Sequence, residues 1–267
     1  MTVAISASLV KELRDQTGAG MMDCKRALEE AGGDLEAARK LLRERGMASA
    51  AKRADRQTTE GLVGYRISDA HATMVAVGCE TEPVSKNEEF QEFAKRALDV
   101  VDAEGVEAVE QLEQDRQELI AKLGENIVIA GTPARFERVD GGVIEAYVHP
   151  PANKLGVLVQ VRGGSAEFGR KLAMHIAWSA PQWLARDDVP EDVVTAEREI
   201  YLNSDEVQSK PEQAREKIVE GMLGKRFFAV QVLLDQPWIH DTAKTVAQAL
   251  KDEGAEVLEY ERFSVAG

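Results

Sequence analysis

Apolar positions in the first 46 residues recur every three to four places: Leu9, Val10 and Leu13, then Ala27 and Leu28, then Leu35, Ala38, Leu41 and Leu42. This spacing predicts three short helices. Ser8 or Ser6 caps the first, "LVKELRDQT", and Gly18 lies just past its end. The second runs from about Met21 to Ala31 and stops at Gly32-Gly33. Asp34 caps the third, "LEAARKLLRER", which ends at Gly46. A bundle of about fifty residues has a small core. The stretch "MASAAKRADRQTTEG" then changes composition and reads as a linker, helical at most at its start.

From Glu60 the period becomes two. "GLVGYRI" and "ATMVAVGCE" read as strands joined by a turn at Ser68 to His71. Ser85 and Glu88 have the spacing of a capping box, so Thr81 to Val84 form a strand-to-helix connection. A second helix follows over about Val106 to Leu123, and "GENIVIAG" leads back to strands. The same unit then recurs: "GGVIEAYVHPPANKLGVLVQVRGGSAEFGRKLAMHIAWSA" is two strands, a connection and a helix capped by Ser165. This recurrence predicts an α+β chain with two related subdomains, since two copies are too few for a solenoid.

Val193, Ala196 and Ile200, then Ala214, Ile218 and Met222, place apolar stripes on two further helices, a helical hairpin with a polar tip. The chain closes with "FFAVQVLL", a helix capped by Asp241 and a strand "AEVLEYERFSV" that returns to the second sheet. The implied boundaries are 1–54 for the three-helix module and linker, 55–140 for the first subdomain, 141–184 with 227–267 for the second, and 185–226 for the inserted hairpin.

Charge alters this picture in one respect. The formal net charge is -14, yet residues 1–56 carry 11 Lys and Arg against 9 Asp and Glu, and the remainder 22 against 38. An acidic body argues against broad contact with a phosphate backbone. The basic stretch Arg39 to Arg56 has no interleaved aromatics and is diluted by Glu44 and Asp55, so it reads as a solvated helix and linker rather than an RNA site. No apolar run approaches the length of a membrane span, and the N-terminus lacks the basic start and apolar core of a signal peptide. Cys24 and Cys79 sit in apolar stretches and are expected to be buried thiols in a reducing cytoplasm.

Candidate chemistry is sparse. "TGAGMMDCKRAL" runs from a glycine-rich turn into a helix, as phosphate loops do. It follows a helix rather than a strand, and Met21 and Met22 stand where a Walker loop needs Lys and Ser or Thr. Neighbouring helical positions lie about 100° apart, so at least one methionine is expected at the surface, flanked by Lys25. There is no HExxH, CxxC or nucleophile elbow, and no cofactor or catalytic residue is expected. His175 is expected to be a satisfied core histidine. His149, before Pro150-Pro151, is the one histidine nominated for contact.

The ordered series "LVKELRDQTGAGMMDCKRALEEAGGDLEAARKLLRERG", "CETEPVSKNEEFQEFA", "IAKLGENI", "KLAMHIAWSAPQWL", "KIVEGMLGK" and "KTVAQALKDEGAEV" resembles the bacterial elongation factor Ts family, guanine-nucleotide exchange factors for elongation factor Tu. The likeness covers nearly the whole chain. It implies a ubiquitin-associated-like three-helix module, a core of two α+β subdomains and an inserted helical hairpin. It implies docking on the GTPase domain of elongation factor Tu through Met21, Met22 and Lys25. Thr81, Glu82, Pro83 and Val84 would insert near that partner's magnesium and phosphate site, supported by Leu123 and Gly124, while the region of His149 would reach another partner domain. The expected action is release of GDP and stabilisation of the nucleotide-free partner until GTP rebinds, with no direct nucleic acid, no membrane, a cytoplasmic location, and homodimerisation left open. The alternative is a ubiquitin-associated-like adaptor or RNA-binding factor without exchange activity. One departure is evident: where the family carries Thr-Asp-Phe-Val, this chain has Thr81-Glu82-Pro83-Val84. Glu82 keeps the carboxylate, but Pro83 supplies no aromatic wedge and removes one backbone donor.

Overall fold

The structure, a computed structural model, describes residues 5–265, with the backbone alone for residues 49–51. Contacts divide it into two compact units. The first comprises the described residues up to Phe136, Val148–Gly156 and the residues from Phe263 on; the second comprises Glu137–Tyr147 and Val157–Arg262.

The first unit opens with α1 (Ala7–Thr17), α2 (Met21–Glu30) and α3 (Leu35–Arg53). Ser6, not Ser8, caps α1, accepting from the Leu9 N–H at 3.2 Å, and Gly18 ends it in the left-handed conformation. Asp34 accepts from the Ala37 N–H at 3.0 Å at the head of α3. The helices enclose Val10, Leu13, Cys24, Ala27, Leu28 and Ala38. Helix α3 does not end at Gly46 but runs through the expected linker to Arg53. The alanine-rich sequence beyond Gly46 favours helix, and a helical glycine costs only about 1 kcal/mol relative to alanine. Gly46 serves another purpose: a Cβ there would stand 2.7 Å from the Ala121 Cβ, so its absence lets a second helix approach.

Strands β1 (Glu60–Ile67) and β2 (His71–Cys79) pair antiparallel, with Glu60 opposite Cys79 and Ile67 opposite Ala72. A one-turn helix α4 (Glu82–Ser85) leads into α5 (Glu88–Glu104). A 3₁₀ segment (Val106–Leu112), α6 (Glu113–Leu123), β3 (Ile127–Ile129) and β4 (Ala134–Glu137) complete the unit, and β3 and β4 both pair with β2. The period-two expectation fails for β2, where every residue from Ala72 to Cys79 is buried, as in a central strand covered on both faces. Val75, Val77 and Cys79 pack with Phe90, Phe93 and Ala97 of α5 and Ile120 of α6. The cap of α5 is Asn87, which accepts from the Glu89 N–H at 2.9 Å; Ser85 instead donates to the Glu82 carbonyl at 2.8 Å.

The second unit repeats strand, strand and helix. Strands β5 (Gly142–Val148) and β6 (Leu155–Arg162) lead to α7 (Ala166–Ser179), which Ser165 caps. Helices α8 (Glu191–Leu202), α9 (Asp205–Gln208) and α10 (Glu212–Met222) form the hairpin, pinned by Arg198 to Glu216 and Glu220. Its tip is less polar than expected, since α9 holds a fully buried Val207. A π-helical stretch (Leu223–Phe228) continues through α11 (Ala229–Gln231) to β7 (Pro237–Trp238), β8 (Asp241–Thr245), α12 (Val246–Glu253) and β9 (Glu256–Ser264). Asp241 opens β8 rather than capping a helix; Thr245 and Gln248 form the capping box of α12. Strand β9 returns beside β6, giving the order β5-β6-β9. Among the described residues no helix is long and apolar enough to cross a membrane.

His175 is fully buried. Its Nε2 meets the Gln236 Oε1 at 2.9 Å, its Nδ1 accepts from the Ile239 N–H at 3.3 Å, and burial pushes its pKa down to about 4. The unfolded chain, with histidine near 6.5, therefore binds the extra proton first as pH falls. Stability present above that value is lost between about pH 6.5 and 4. Denaturant unfolding at pH 7 and pH 5 is expected to show a His175 contribution to this loss of about 2 kcal/mol, which His175→Gln removes. Equal pH dependence in the two proteins would refute it.

Candidate functional site

Every residue nominated from the sequence lies in the first unit. Helix α2 starts at Met21 behind Gly20, which offers no side chain to cap it. Its inward face is Cys24, Ala27 and Leu28. Met22 lies on the opposite side of the helix, while Met21 shares the stripe of Cys24 and Leu28 but stands at the open end of the helix, beyond the bundle's core; they stay 64% and 45% exposed. Lys25 stands one turn on, exposed, 3.8 Å from Glu29. Methionine's unbranched, polarisable side chain suits a surface that adapts to a partner.

The connection after β2 is built differently. Thr81 is the N-cap of α4, so Glu82 and Pro83 occupy its first two helical positions. Backbone N–H groups in a first turn have no intrahelical acceptor, so proline here sacrifices no helical hydrogen bond and pre-sets φ. The turn closes through the Ser85 N–H to the Thr81 carbonyl and the Lys86 N–H to the Glu82 carbonyl, both 3.1 Å. Thr81, Glu82 and Pro83 are exposed, while Val84 is half-buried against the core of β2 and α5. Lys86 lies 2.6 Å from Glu82 and holds its carboxyl below the usual range, and the charge of Lys154 adds to that effect. Lys154 itself pairs with Glu60 on β1.

What holds this turn from behind is the segment after α6. Gly124 ends that helix in the left-handed conformation and Leu123 is half-buried against the core. The next residue, Glu125, was not singled out from the sequence. Its carboxylate accepts from the Glu80 N–H at 3.1 Å, the Thr81 N–H at 3.0 Å and the Thr81 hydroxyl at 2.5 Å. Reciprocally, the Asn126 N–H donates to the Glu80 carboxylate at 2.6 Å, and the buried Asn126 amide donates to the carbonyls of Ala54 and Arg56. The signal in the sequence was a polar pair directly after a helix-ending glycine. It became readable only once α6 and β2 were known to meet. Cys79 lies beneath the turn, and burial, reinforced by Glu125, pushes its thiol up to about 12.

The two elements are also joined. Lys122 ends α6 with its stem laid across Gly18, where no Cβ has room, and its Nζ lies 2.6 Å from Glu89 at the start of α5. His149 is exposed in the turn between β5 and β6. That turn returns to the first sheet through the Val63 N–H, which donates to the Asn153 carbonyl at 2.7 Å, and it carries Lys154 toward Glu60 and Glu82.

A family model described as "Elongation factor TS" matches residues 80–267. Proteins named "Elongation factor Ts" from Methylococcus capsulatus, Halorhodospira halophila and Pasteurella multocida are 41%, 43% and 42% identical to the chain. Each alignment covers 98% of this chain and 92% of the relative. Identity at this level over nearly the full length of both partners, on a fold with the expected element order, places the chain in the elongation factor Ts family.

Proposed function

We propose that this chain binds elongation factor Tu carrying GDP and accelerates GDP release. Met21, Met22 and Lys25 dock on the GTPase domain. The exposed turn Thr81 to Val84 disturbs the magnesium and phosphate site, with Leu123 and Gly124 supporting it, and the His149 turn contacts another domain of the partner. The chain then stabilises the nucleotide-free GTPase until GTP rebinds, as a cytoplasmic factor with no bond made or broken. Binding in this scheme is negatively coupled: whatever factor GDP loses in affinity, this chain loses when GDP is bound. Coupling of about 3 kcal/mol changes affinity about a hundredfold.

The observation that carries this reading is the exposed Thr81–Pro83 ridge with its backbone fixed from behind by Glu125. A wedge that displaces a partner's groups must not yield itself. Stopped-flow release of fluorescent GDP from elongation factor Tu, with and without this protein, is the test. An unchanged rate would reject exchange and leave a ubiquitin-associated-like adaptor or RNA-binding factor. In the same assay Pro83→Phe is expected to raise the rate roughly three- to tenfold, a gain of about 1 kcal/mol in barrier, by restoring an aromatic wedge. A rate at or below that of the parent would show that proline's fixed geometry serves better.

A further inference from the structure

The basic stretch of α3 finds no use in the scheme above, yet it lines the wall of a cleft of about 710 Å³ whose opposite wall is α6. Leu42, Met47 and Ala121 give it an apolar floor; Met47 is 48% exposed. Three carboxylates reach the lining, and each already has a partner: Asp23 pairs with Arg26, Glu113 with Arg116, and Glu118 accepts from Gln114. Two guanidiniums are less well served. Arg43 has only a long ion pair to Glu118, at 3.9 Å, and Arg53 has its Nη1 buried with no hydrogen-bond partner. A buried donor left unpaired calls for an explanation, an absent acceptor being the simplest. Ten residues separate these arginines on one helix, about 15 Å along its axis.

We infer that this cleft receives an acidic, partly apolar peptide segment of the same GTPase. The inference rests on the function proposed above. An exposed cation and a second, under-partnered one beside Leu42, Met47 and Ala121 match carboxylates spaced along a helix or strand with apolar residues between them. The planar guanidinium fork favours carboxylate in bidentate geometry. RNA fits less well, since no aromatic side chain lines the cleft to stack a base. The source of the segment follows from continuity, because Gly20 and Asp23, which flank Met21 and Met22, also line the cleft. A partner seated on the methionines lies at its mouth.

The test titrates the full-length protein and its Arg43→Glu variant into elongation factor Tu carrying GDP, at low and high salt. Arg43 is an exposed helical position, so the variant is expected to melt like its parent. Affinity should fall roughly tenfold at low salt and far less at high salt. Arg53→Gln should weaken binding in the same sense. If the parent protein does not bind the GTPase at all, the proposed function falls and this inference with it. If the parent binds and Arg43→Glu binds equally well at low salt, only the inference falls. It also falls if the variant leaves GTPase affinity intact and instead abolishes self-association in sedimentation velocity, or binding of a labelled single-stranded RNA.

Discussion

Glu125→Ala is expected to slow GDP release from elongation factor Tu by roughly 30- to 100-fold while the protein remains folded. Three donors lose their acceptor at once: the N–H groups of Glu80 and Thr81 and the Thr81 hydroxyl. The turn they belong to is a single helical turn, too short to hold itself. A misplacement of about 1 Å costs on the order of a hundredfold where an outcome depends on positioned groups. The loss of stability is smaller, about 1–2 kcal/mol, because Thr81 is exposed and water can take up its donors. Glu125→Gln keeps one acceptor oxygen and should fall between the two. Stopped-flow release with a thermal melt of each variant decides the matter: a parental rate in Glu125→Ala would show that the turn needs no anchor.

The second large effect concerns docking. Met21→Ala with Met22→Ala is expected to raise the dissociation constant for elongation factor Tu roughly a hundredfold, measured by calorimetry, with melting temperature nearly unchanged. Truncating a central anchor at an interface costs about 1–2 kcal/mol, and two adjacent anchors together reach the stated factor. In the free chain both methionines are largely in water, so their removal takes little from the folded state. Cys24, Ala27 and Leu28, further along the helix, are fully buried and do the work of packing. Loss of the folded state in the double variant would assign the methionines to the core instead, and unchanged affinity would turn this surface away from the partner.

The elements that local chemistry governs were readable in the sequence. Ser6, Gly18, Asp34 and Ser165 mark helix ends by their own side chains or by the lack of one. The strand–strand–helix recurrence came from periodicity, and the return of β9 to β6 from its alternation and place in the chain. The errors fell where a distant neighbour decides, or where two candidate caps lie close together. Gly46 looked like a stop, but Ala121, 75 positions away, is the reason for it. Ser85 and Asn87 could each cap α5 on spacing alone, and the fold gave Ser85 to a carbonyl inside α4. Within the candidate site, Leu123 and Gly124 were named through resemblance, but the anchoring carboxylate of Glu125 was missed. Its partners are 44 and 45 positions earlier, and no local pattern connects them.

Lys122 and Glu125 lie on either side of the end of α6, one draped over the turn before the methionines and the other gripping the exposed ridge. In the scheme proposed above, a G protein held by one of these elements would meet the other at high effective concentration, with no flexible tether to straighten first. Loosening that helix end would leave each element able to touch the G protein singly, yet forfeit the gain that comes from engaging both.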